Sequence, residues 1–219
     1  MSGNKRRPVV VVGLGRFGGA VALTLRNMGT EVLGIDMDAQ RVQAHANELT
    51  KVVEADSTDG AVLHQLGVAD FEAAVVAIGS DIEASVLTVL ALAELGLTNI
   101  WAKATNQRHA RILERIGATH VVFPEQRMGE RVAHLLNERL LDFIAFDDEF
   151  AIARLCAPEP IVGLPLITSA CRAKYNVTVV GVKRTGENFI HAVPDTLIFP
   201  GDELVVSGRI RDIERFSAI

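Results

Sequence analysis

The hydrophobic positions of the first 125 residues form short apolar runs that alternate with longer segments of helical periodicity. Each run is apolar almost throughout, as is typical of parallel strands that are covered on both faces. Four helical segments close with a glycine, at positions 29, 67, 96 and 117, a residue that suits the left-handed helix cap. The predicted strands are VVVVG (9–13), EVLGID (31–36), KVVEAD (51–56), AAVVAIG (73–79), NIWAKA (99–104) and HVVFP (120–124).

The repeat of strand, turn and helix predicts an α/β fold, with one domain over residues 8–126. Its architecture is expected to be a Rossmann-like, doubly wound parallel sheet with helices on both faces. Ligands of such sheets bind at the carboxyl ends of the strands, so the turns after the apolar runs are where chemistry is expected.

The periodicity changes in RMGERVAHLLNERLLDFIAF (127–146), which is predicted to form one amphipathic helix. Two interpretations stay open: a sixth helix that covers the sheet, or a crossover and dimerisation helix that leads into a second domain. The second interpretation is favoured, because the pattern beyond the helix is different. The apolar face of the predicted helix comprises Met128, Val132, Leu135, Leu136, Leu140 and Phe143.

Residues 147–219 contain short strand-like runs separated by turns and are predicted to form a small α+β domain. A domain of this size is close to the smallest that folds alone, so dimerisation is expected. RTGE (184–187) predicts a hairpin turn and PGDE (200–203) a loop before the final strand. The strand candidates are FAIARLCA (150–157), APEPIVGLP (157–165), NVTVVGVKR (176–184), TGENFIHAVPD (185–195) and LIFPGDELVVSG (197–208).

The composition of the chain limits the kinds of protein to which it can belong. The 219 residues are 49% hydrophobic and have a formal net charge of -5, so nucleic acid, which needs a concentrated basic face, is not expected as a partner. The segment ASVLTVLALAEL (84–95) is far shorter than a membrane span. Cys156 and Cys171 lack metal-site spacing and are expected to be reduced core or near-core thiols of a cytosolic protein.

A glycine-rich turn, GLGRFG (13–18), follows the first predicted strand and opens a helix. Gly13 permits the tight turn, Gly15 lets backbone N–H groups approach a pyrophosphate, and Gly18 lets the helix pack close to the strand. Asp36 ends the second strand, where a carboxylate accepts hydrogen bonds from ribose hydroxyls; the alternative is a cap for the next helix. Together these residues predict an adenosine nucleotide that has no 2′-phosphate.

Polar residues also follow the third predicted strand. Asp56 lies at its carboxyl end, which brings this carboxylate near an adenine in the predicted sheet. Ser57 or Thr58 is expected to cap the helix that follows, because a hydroxyl there accepts backbone N–H groups.

The fourth and fifth strands end in residues of the same kind. Ile78 and Gly79 end the fourth strand, where the glycine leaves room for a ligand, and Ser80 or Asp81 is expected to cap the next helix. Lys103 ends the fifth strand, where its ammonium can meet a phosphate. An ordinary surface lysine is the alternative for this position.

Two charged residues do not fit a dehydrogenase. Arg16 lies at the helix start, where its guanidinium can reach beyond a pyrophosphate to a terminal phosphate. Glu125 follows the sixth strand, and a carboxylate beside a polyphosphate repels it unless a divalent cation lies between them. The pair therefore indicates a nucleoside triphosphate with Mg²⁺ or Ca²⁺, and two independent surface charges are the alternative.

Groups for catalysis are missing from the sequence pattern. Hydride transfer needs a positioned acid or base and a substrate pocket in a second domain. His109 and His120 are the histidines nearest the strand ends, and neither has an evident carboxylate partner. Both are expected to be helix caps or solvated surface groups, so the chain is not predicted to be an enzyme.

The ordered set of motifs resembles the KtrA/TrkA family of RCK proteins, cytosolic regulators of bacterial K⁺ uptake systems. The resemblance covers nearly all of residues 8–219. It implies an RCK N-domain at 8–126, a crossover and dimerisation helix at 127–146, and a TrkA-C-type C-domain at 147–219. The motifs that carry it are VVVVGLGRFGGAVALTL, GID, ADSTD, VVAIGSD, AKATN and FPE, followed by the terminal GDELVVSG.

The implied role is a cytoplasmic, nucleotide-sensing gating ring, an octamer built from homodimers. The ring docks at the inner face of the cell membrane, under a KtrB/TrkH-like subunit that translocates K⁺. ATP favours the active ring and ADP the inactive one. Some relatives bind NAD(H) instead.

The resemblance also implies roles for individual residues. Arg16 contacts the γ-phosphate, and Glu125 helps to hold Mg²⁺ or Ca²⁺ beside it. Asp36 contacts the ribose, and Asp56 lies by the adenine. The full set of candidate nucleotide-binding residues is Gly13, Gly15, Arg16, Phe17, Gly18, Asp36, Asp56, Ser57, Ile78, Gly79, Ser80, Lys103 and Glu125.

A second ligand is implied for the C-domain. In some relatives the C-domain dimer binds cyclic di-AMP beside an Arg-Ala pair, which matches Arg172 and Ala173. This chain departs from the family pattern at Cys171, which replaces an aliphatic residue, and at Thr178, which replaces an amide.

Two other classes of function compete with a K⁺-uptake regulator. An NAD(H)-dependent oxidoreductase or NAD(H) redox sensor uses the same fold, and NADH binding without discrimination between ATP and ADP would favour it. A purely structural oligomerisation module explains the C-domain. That third class leaves the ordered motifs at the strand ends without a role.

Overall fold

A computed structural model describes residues 8–137 and 139–219. They form two compact units that divide between Pro124 and Glu125, and each unit has its own hydrophobic core. No helix in these two ranges is long and apolar enough to cross a lipid bilayer.

Six parallel strands form the sheet of the first unit: β1 (Val9–Val12), β2 (Val32–Asp36), β3 (Lys51–Glu54), β4 (Ala73–Val76), β5 (Ile100–Lys103) and β6 (His120–Val122). Their order is β3-β2-β1-β4-β5-β6, so the chain winds in opposite directions from the β1/β4 pair. All six predicted strands are present. The prediction of a doubly wound parallel sheet is confirmed.

Five helices connect these strands: α1 (Arg16–Asn27), α2 (Ala39–His45), α3 (Gly60–Gln65), α4 (Ile82–Glu94) and α5 (Gln107–Arg115). The side chains of Asp38, Asp59, Asp81 and Asn106 accept backbone N–H groups at the starts of α2 to α5. Of the two caps predicted for α4, Asp81 is the one observed. Helix α1 begins after Gly15 without a side-chain cap.

Both faces of the sheet are buried, which explains why the strands are apolar throughout. Val10 and Val12 of β1 belong to a cluster that includes residues of α3, α4 and α5. Val11, which points to the opposite face, packs with Ala22 of α1 and Leu49. Successive side chains of a strand point to opposite faces, so a strand covered on both sides needs apolar residues at every position.

The glycine-rich turn brings α1 unusually close to β1. Gly13 has φ of +88°, a left-handed conformation that residues with side chains rarely adopt. A Cβ on Gly18 would lie 1.8 Å from the Gly13 carbonyl oxygen and 2.8 Å from the Ala77 Cβ. The predicted role of Gly18, close packing of the helix on the strand, therefore agrees with the geometry.

The second unit combines a five-stranded antiparallel sheet with short helices. Its sheet has the order β10-β9-β11-β8-β7. The elements are α6 (Pro124–Asn137), β7 (Leu140–Ala145), β8 (Phe150–Cys156), α7 (Leu166–Ser169), α8 (Cys171–Tyr175), β9 (Thr178–Lys183), β10 (Ile190–His191), β11 (Glu203–Arg209) and α9 (Ile210–Ser217).

The single helix predicted over 127–146 is wrong in its second half. Helix α6 ends at Asn137, and the chain then forms β7, which pairs with β8. Leu140 and Phe143, assigned to the apolar face of the predicted helix, are instead buried in the core of the second unit. The backbone groups of β7 gain hydrogen bonds from β8 that a continued helix would forgo, and the sequence period does not reveal this competition.

The C-terminal elements differ from the predicted strands in two places. The segment APEPIVGLP contains a 3₁₀ turn, Glu159–Ile161, where a strand was expected. Helix α9 follows the last strand and places Ile213 and Phe216 in the core. Cys171 is buried as expected, whereas Cys156 is exposed at the end of β8.

A buried ion pair joins the two predicted turns of the C-terminal domain. Asp202, in the PGDE loop, is fully buried and accepts hydrogen bonds from Arg184 at 2.8 and 3.0 Å. The Phe199 N–H donates to the same carboxylate at 2.9 Å. The hydrogen bonds from Arg184 lower the pKa of Asp202, so this carboxyl stays ionised where burial alone would favour its neutral form.

Gly18→Ala is expected to destabilise the protein by about 2–3 kcal/mol, since the added methyl group overlaps a backbone oxygen that cannot move freely. Gly60→Ala is the matched control, because a Cβ on this first residue of α3 would lie 3.8 Å from the Ala91 Cβ, an ordinary van der Waals contact. The control is expected to gain roughly 0.5–1 kcal/mol. Urea unfolding measures both, and an unchanged midpoint for Gly18→Ala would contradict the close approach.

Candidate functional site

The carboxyl ends of β1, β2 and β4 meet where the strand order reverses. The Gly13 N–H donates to the Ile35 carbonyl at 2.8 Å, and the Ala77 N–H donates to the Val12 carbonyl at 2.7 Å. The turns after these three strands therefore leave the sheet side by side. Connections that run to opposite sides of the sheet open a crevice at this point, which is where doubly wound folds bind ligands.

The N-terminus of α1 faces this region with space beside it. Of the described chain, no heavy atom lies within 4 Å of the position that a Cβ on Gly15 would take. The first N–H groups of an α-helix have no partner within the helix, and α1 has no side-chain cap to satisfy them. Arg16, the first helical residue, is exposed. This helix end can bind an anion through backbone N–H groups and a guanidinium.

Asp36 is buried at the carboxyl end of β2 and holds the glycine-rich turn. Its Oδ2 accepts the Leu14 N–H at 2.6 Å, and its Oδ1 accepts the Asp38 N–H at 2.9 Å. The alternative prediction, that Asp36 caps the next helix, is wrong, because Asp38 caps α2. A carboxylate has about four acceptor sites, so Asp36 keeps acceptor capacity for ribose hydroxyls.

Arg41 is a site residue that the sequence reasoning missed. Its Nη1 lies 3.4 Å from the Asp36 Oδ2, and its Nε lies 3.5 Å from an Asp38 oxygen. Half of its side chain is exposed. The signal in the sequence is the spacing from Asp38, since residues three apart face the same side of a helix turn. Arg41 neutralises part of the negative charge that Asp36 presents to a ligand.

Asp56 closes its own turn after β3. Its carboxylate accepts the Thr58 hydroxyl at 2.7 Å and the Thr58 N–H at 2.9 Å, and these hydrogen bonds lower the pKa of Asp56. The prediction that Ser57 or Thr58 caps α3 is wrong, since Asp59 accepts the Ala61 N–H. The Ser57 hydroxyl is buried and contacts the Thr88 hydroxyl at 2.9 Å.

Lys103 and Gly79 lie against each other beside the glycine-rich turn. A Cβ on Gly79 would lie 3.0 Å from the Lys103 Cε and Nζ, and the Nζ lies 6.0 Å from the centroid of the Phe17 ring. Ile78 packs against the core, whereas Ser80 is exposed. The structure thus brings Phe17, Gly79 and Lys103 together at the β1/β4 end of the sheet.

Glu125 lies in the first turn of α6, is exposed, and belongs to the second compact unit. Its predicted pairing with Arg16 through a divalent cation stays a prediction. Across the described ranges, no three His, Cys, Asp or Glu side chains come together as a metal site.

The two histidines near the strand ends differ from each other. His120 is exposed, as predicted, and stacks on Trp101 with ring centroids 4.0 Å apart. The prediction for His109 is wrong: only 2% of it is exposed, in the third position of α5. Burial lowers the pKa of His109, which keeps the ring neutral.

Arg172 and Ala173 lie on α8 of the second unit. The Arg172 Nε donates to the Thr178 hydroxyl at 3.2 Å, so the threonine at this position fixes the guanidinium. Ala170, just before the helix, has φ of +53°. The cyclic di-AMP role of this pair stays a prediction.

Three relatives are similar to this chain over nearly its whole length. The chain is 40% identical over 213 residues to the Ktr system potassium uptake protein A of Bacillus subtilis (strain 168), covering 97% of this chain and 96% of the relative. It is 38% identical over 212 residues to protein C of the same organism, with 96% of each chain covered. The Ktr system potassium uptake protein A of Vibrio alginolyticus is 35% identical over 90% of each chain.

Solved structures and domain families agree with the two-unit architecture. The RCK domain of GsuK superposes with a TM-score of 0.65 at 19% identity, covering all of this chain and 49% of that one. The GsuK channel bound to NAD superposes at 0.64 and 18% identity, covering 99% of this chain and 40% of that one. The TrkA-N domain matches residues 9–124, and the TrkA-C domain matches residues 151–219. The chain therefore belongs to the KtrA/TrkA family of RCK-fold proteins, in which a TrkA-N domain precedes a TrkA-C domain.

Proposed function

We propose that the chain is the nucleotide-sensing regulatory subunit of a Ktr-type K⁺ uptake system. The observation that carries the proposal is the open space beside Gly15 at the uncapped N-terminus of α1. A helix end of this kind favours phosphate, and the neighbouring Asp36 is available for a ribose. Similarity over nearly the whole length to Ktr potassium uptake proteins supports the K⁺ system as the setting.

ATP is proposed as the activating ligand and ADP as the inactivating one. The two differ in the γ-phosphate, so switching requires a group that contacts this phosphate alone. Arg16, exposed at the first position of α1, is proposed for that contact. Glu125 is proposed to bind Mg²⁺ or Ca²⁺ on the γ-phosphate, because its carboxylate would otherwise repel the nucleotide.

The energy for switching is then the difference in affinity of the two conformations for ATP. Arg16 and Glu125 are proposed to meet the γ-phosphate and its cation across the dimer contact of the ring. A nucleotide that engages both residues favours one arrangement of the ring. ADP lacks these contacts, so when it displaces ATP it removes the stabilisation of the active ring and the ring returns to its inactive state.

Assembly is proposed to use the exposed face of α6. Met128, Val132 and Leu136 follow one another at helical spacing, and their exposed fractions are 54%, 44% and 80%. Adjacent exposed apolar residues on one face mark an interaction surface. The partner is a second copy in a homodimer; homodimers form an octameric ring that docks at the inner face of the membrane on a KtrB/TrkH-like K⁺-translocating subunit.

Cyclic di-AMP is proposed as a further ligand at Arg172 and Ala173.

The second candidate is an NAD(H) redox sensor or an NAD(H)-dependent oxidoreductase. It is favoured by one specific observation: the GsuK channel, whose fold matches over 99% of this chain, is bound to NAD in one of its structures. The acidic Asp36 suits the ribose of either NAD or ATP. Because the ribose contact is common to both ligands, the contacts made to the phosphates distinguish ATP from NAD.

Thermal unfolding with each ligand tests the proposal. ATP with Mg²⁺ is expected to raise the unfolding temperature more than ADP, and both more than NAD⁺ or NADH, because a ligand stabilises by RT ln(1 + [L]/Kd). At 100 times Kd this is about 2.7 kcal/mol, roughly 5–10 °C for a chain of this size. Glu125→Gln should abolish the Mg²⁺ dependence, with Glu130→Gln as the control on the same helix. NADH giving the largest shift would instead favour the second candidate.

Arg16→Ala is expected to lower the affinity for ATP by about 10- to 100-fold and to change the affinity for ADP little. The reason is that one charge-assisted hydrogen bond contributes roughly 1.5–3 kcal/mol. Arg26→Ala, an exposed arginine of the same helix, is the control and should bind both as the wild type does. Isothermal titration calorimetry measures the affinities of wild type and both variants for ATP and for ADP. An equal loss for ATP and ADP would rule out the γ-phosphate role.

Val132→Glu and Leu136→Glu together are expected to reduce the assembly to smaller species. A charge buried at an interface without a partner is strongly unfavourable, so the homodimer should dissociate first. Met28→Glu, at an exposed apolar residue of the first unit, is the control. Light scattering gives the molar mass of each protein, and an unchanged mass for the α6 variant would contradict the proposed interface.

A further inference from the structure

Two buried polar atoms of the first unit have no hydrogen-bond partner among the described residues: the Ser85 Oγ and the His109 Nε2. Ser85 is fully buried near the start of α4, and His109 is 2% exposed near the start of α5. Buried polar atoms are nearly always hydrogen-bonded, so each exception calls for a physical explanation. Neither atom has a role in the proposed nucleotide contacts.

Ser85 and His109 lie near the starts of two packed helices. Ser85 is the fourth residue of α4, and His109 is the third residue of α5. Helices that follow parallel strands begin at the carboxyl ends of those strands, so both polar residues lie toward the carboxyl edge of the sheet.

The contact at the other ring nitrogen identifies the tautomer of His109. The Thr105 N–H and the Thr105 hydroxyl both lie 3.4 Å from the His109 Nδ1; the N–H donates to this nitrogen, which therefore carries a lone pair. A neutral imidazole has one N–H, which is then on Nε2. A second proton would go to Nδ1 and would face the Thr105 N–H, so that two donors oppose each other.

This contact closes a small network at the start of α5. Asn106 caps the helix by accepting the N–H groups of Arg108 and His109, each at 3.0 Å, and its amide donates to the Thr105 hydroxyl at 3.2 Å. His109, in the third helical position, reaches back past the Asn106 cap to the N–H of Thr105, the residue before it. The ring thereby ties down residues 104–106, which directly follow Lys103.

The groups around His109 give little compensation for a charge. Thr105, Asn106 and Ser85 on the neighbouring elements are uncharged. The charged or titratable residues of the elements packed around it are Lys103 at the end of β5, His120 of β6, and the exposed Asp81, Glu83 and Glu94 of α4 and its N-cap. Its own helix carries the exposed Arg108, Arg111, Glu114 and Arg115. Burial is the cause of the lowered pKa of His109, in agreement with these surroundings.

We infer that His109 is a positioning residue of the nucleotide site, which holds the segment after Lys103 when its ring is neutral and releases it when protonated. The inference rests on the proposed function, because Lys103 lies beside Gly79 and Phe17 at the proposed phosphate end. Acidification then weakens nucleotide binding through protonation of His109, although His109 does not itself contact the nucleotide.

The sign of the pH effect follows from the ring's lowered pKa. The folded protein keeps His109 neutral, whereas an unfolded chain protonates it below a pH of about 6.5. The unfolded state therefore binds more protons as the pH falls through that value, and stability decreases with falling pH until the folded ring also titrates. Nucleotide affinity should decrease over the lower part of the same range, where the folded ring becomes charged.

His109→Asn separates the hydrogen bond from the titration, because its amide oxygen can accept the Thr105 N–H and does not ionise. We expect the Kd of wild type for ATP, divided by that of His109→Asn, to rise about three- to tenfold between pH 8 and the acidic pH at which nitrogen-15 spectra show the folded ring protonated, the size of one neutral hydrogen bond. Protonation of ATP itself cancels in this ratio. His109→Leu should bind more weakly by a similar factor at every pH, and His64→Gln, at an exposed histidine, should follow the wild-type profile.

The outcomes distinguish this inference from the proposed function. A ratio that does not change with pH, while wild type binds ATP at pH 8, would overturn the role of His109 alone. Absence of binding to any nucleotide at pH 8 would overturn the proposed function. Nitrogen-15 spectra of the ring need no ligand: an N–H on Nε2 at pH 8 supports the assignment, and an N–H on Nδ1 contradicts it.

Discussion

The approach of α1 to β1 at the glycine-rich turn is the constraint on which the proposed nucleotide site depends. The helix can start directly above the strand only because Gly18 has no Cβ to meet the Gly13 carbonyl oxygen. That start aims the positive end of α1 at the crevice where β1 and β4 diverge. Any side chain at this point would tilt the helix away and move its backbone N–H groups from the crevice where phosphates are proposed to bind.

Side chains at the strand ends hold the remaining turns around that helix. Asp36 ties β2 to the glycine-rich turn through the Leu14 N–H, and His109 ties residue 105 to α5. Both groups are buried, so each bond is made in a medium where an unsatisfied partner costs about 1–3 kcal/mol. The site is therefore shaped by polar groups whose main partners are backbone atoms of the protein itself.

The second unit shows where patterns in a sequence mislead. Leu135, Leu136, Leu140 and Phe143 have helical spacing, yet the chain changes to a strand between them. Strand β7 is favoured because β8 offers its backbone hydrogen bonds, a contact with residues later in the chain. The spacing of hydrophobic positions along the sequence does not reveal such long-range pairing, so it cannot predict whether the chain forms a strand or a longer helix. The same limit explains Asp59, whose capping role depends on where α3 starts and not on which hydroxyls precede it.

The sequence by itself determined the doubly wound sheet, the glycine-rich turn and the family, because both faces of each strand are buried and the turn needs glycines at fixed positions. These features depend on local residues and their spacing. Only the tertiary structure decided that Asp36 binds the glycine-rich turn, that Arg41 and Lys103 lie at the crevice, and that His109 is buried. Those facts depend on contacts between residues far apart in the chain, or on burial that packing of whole helices creates.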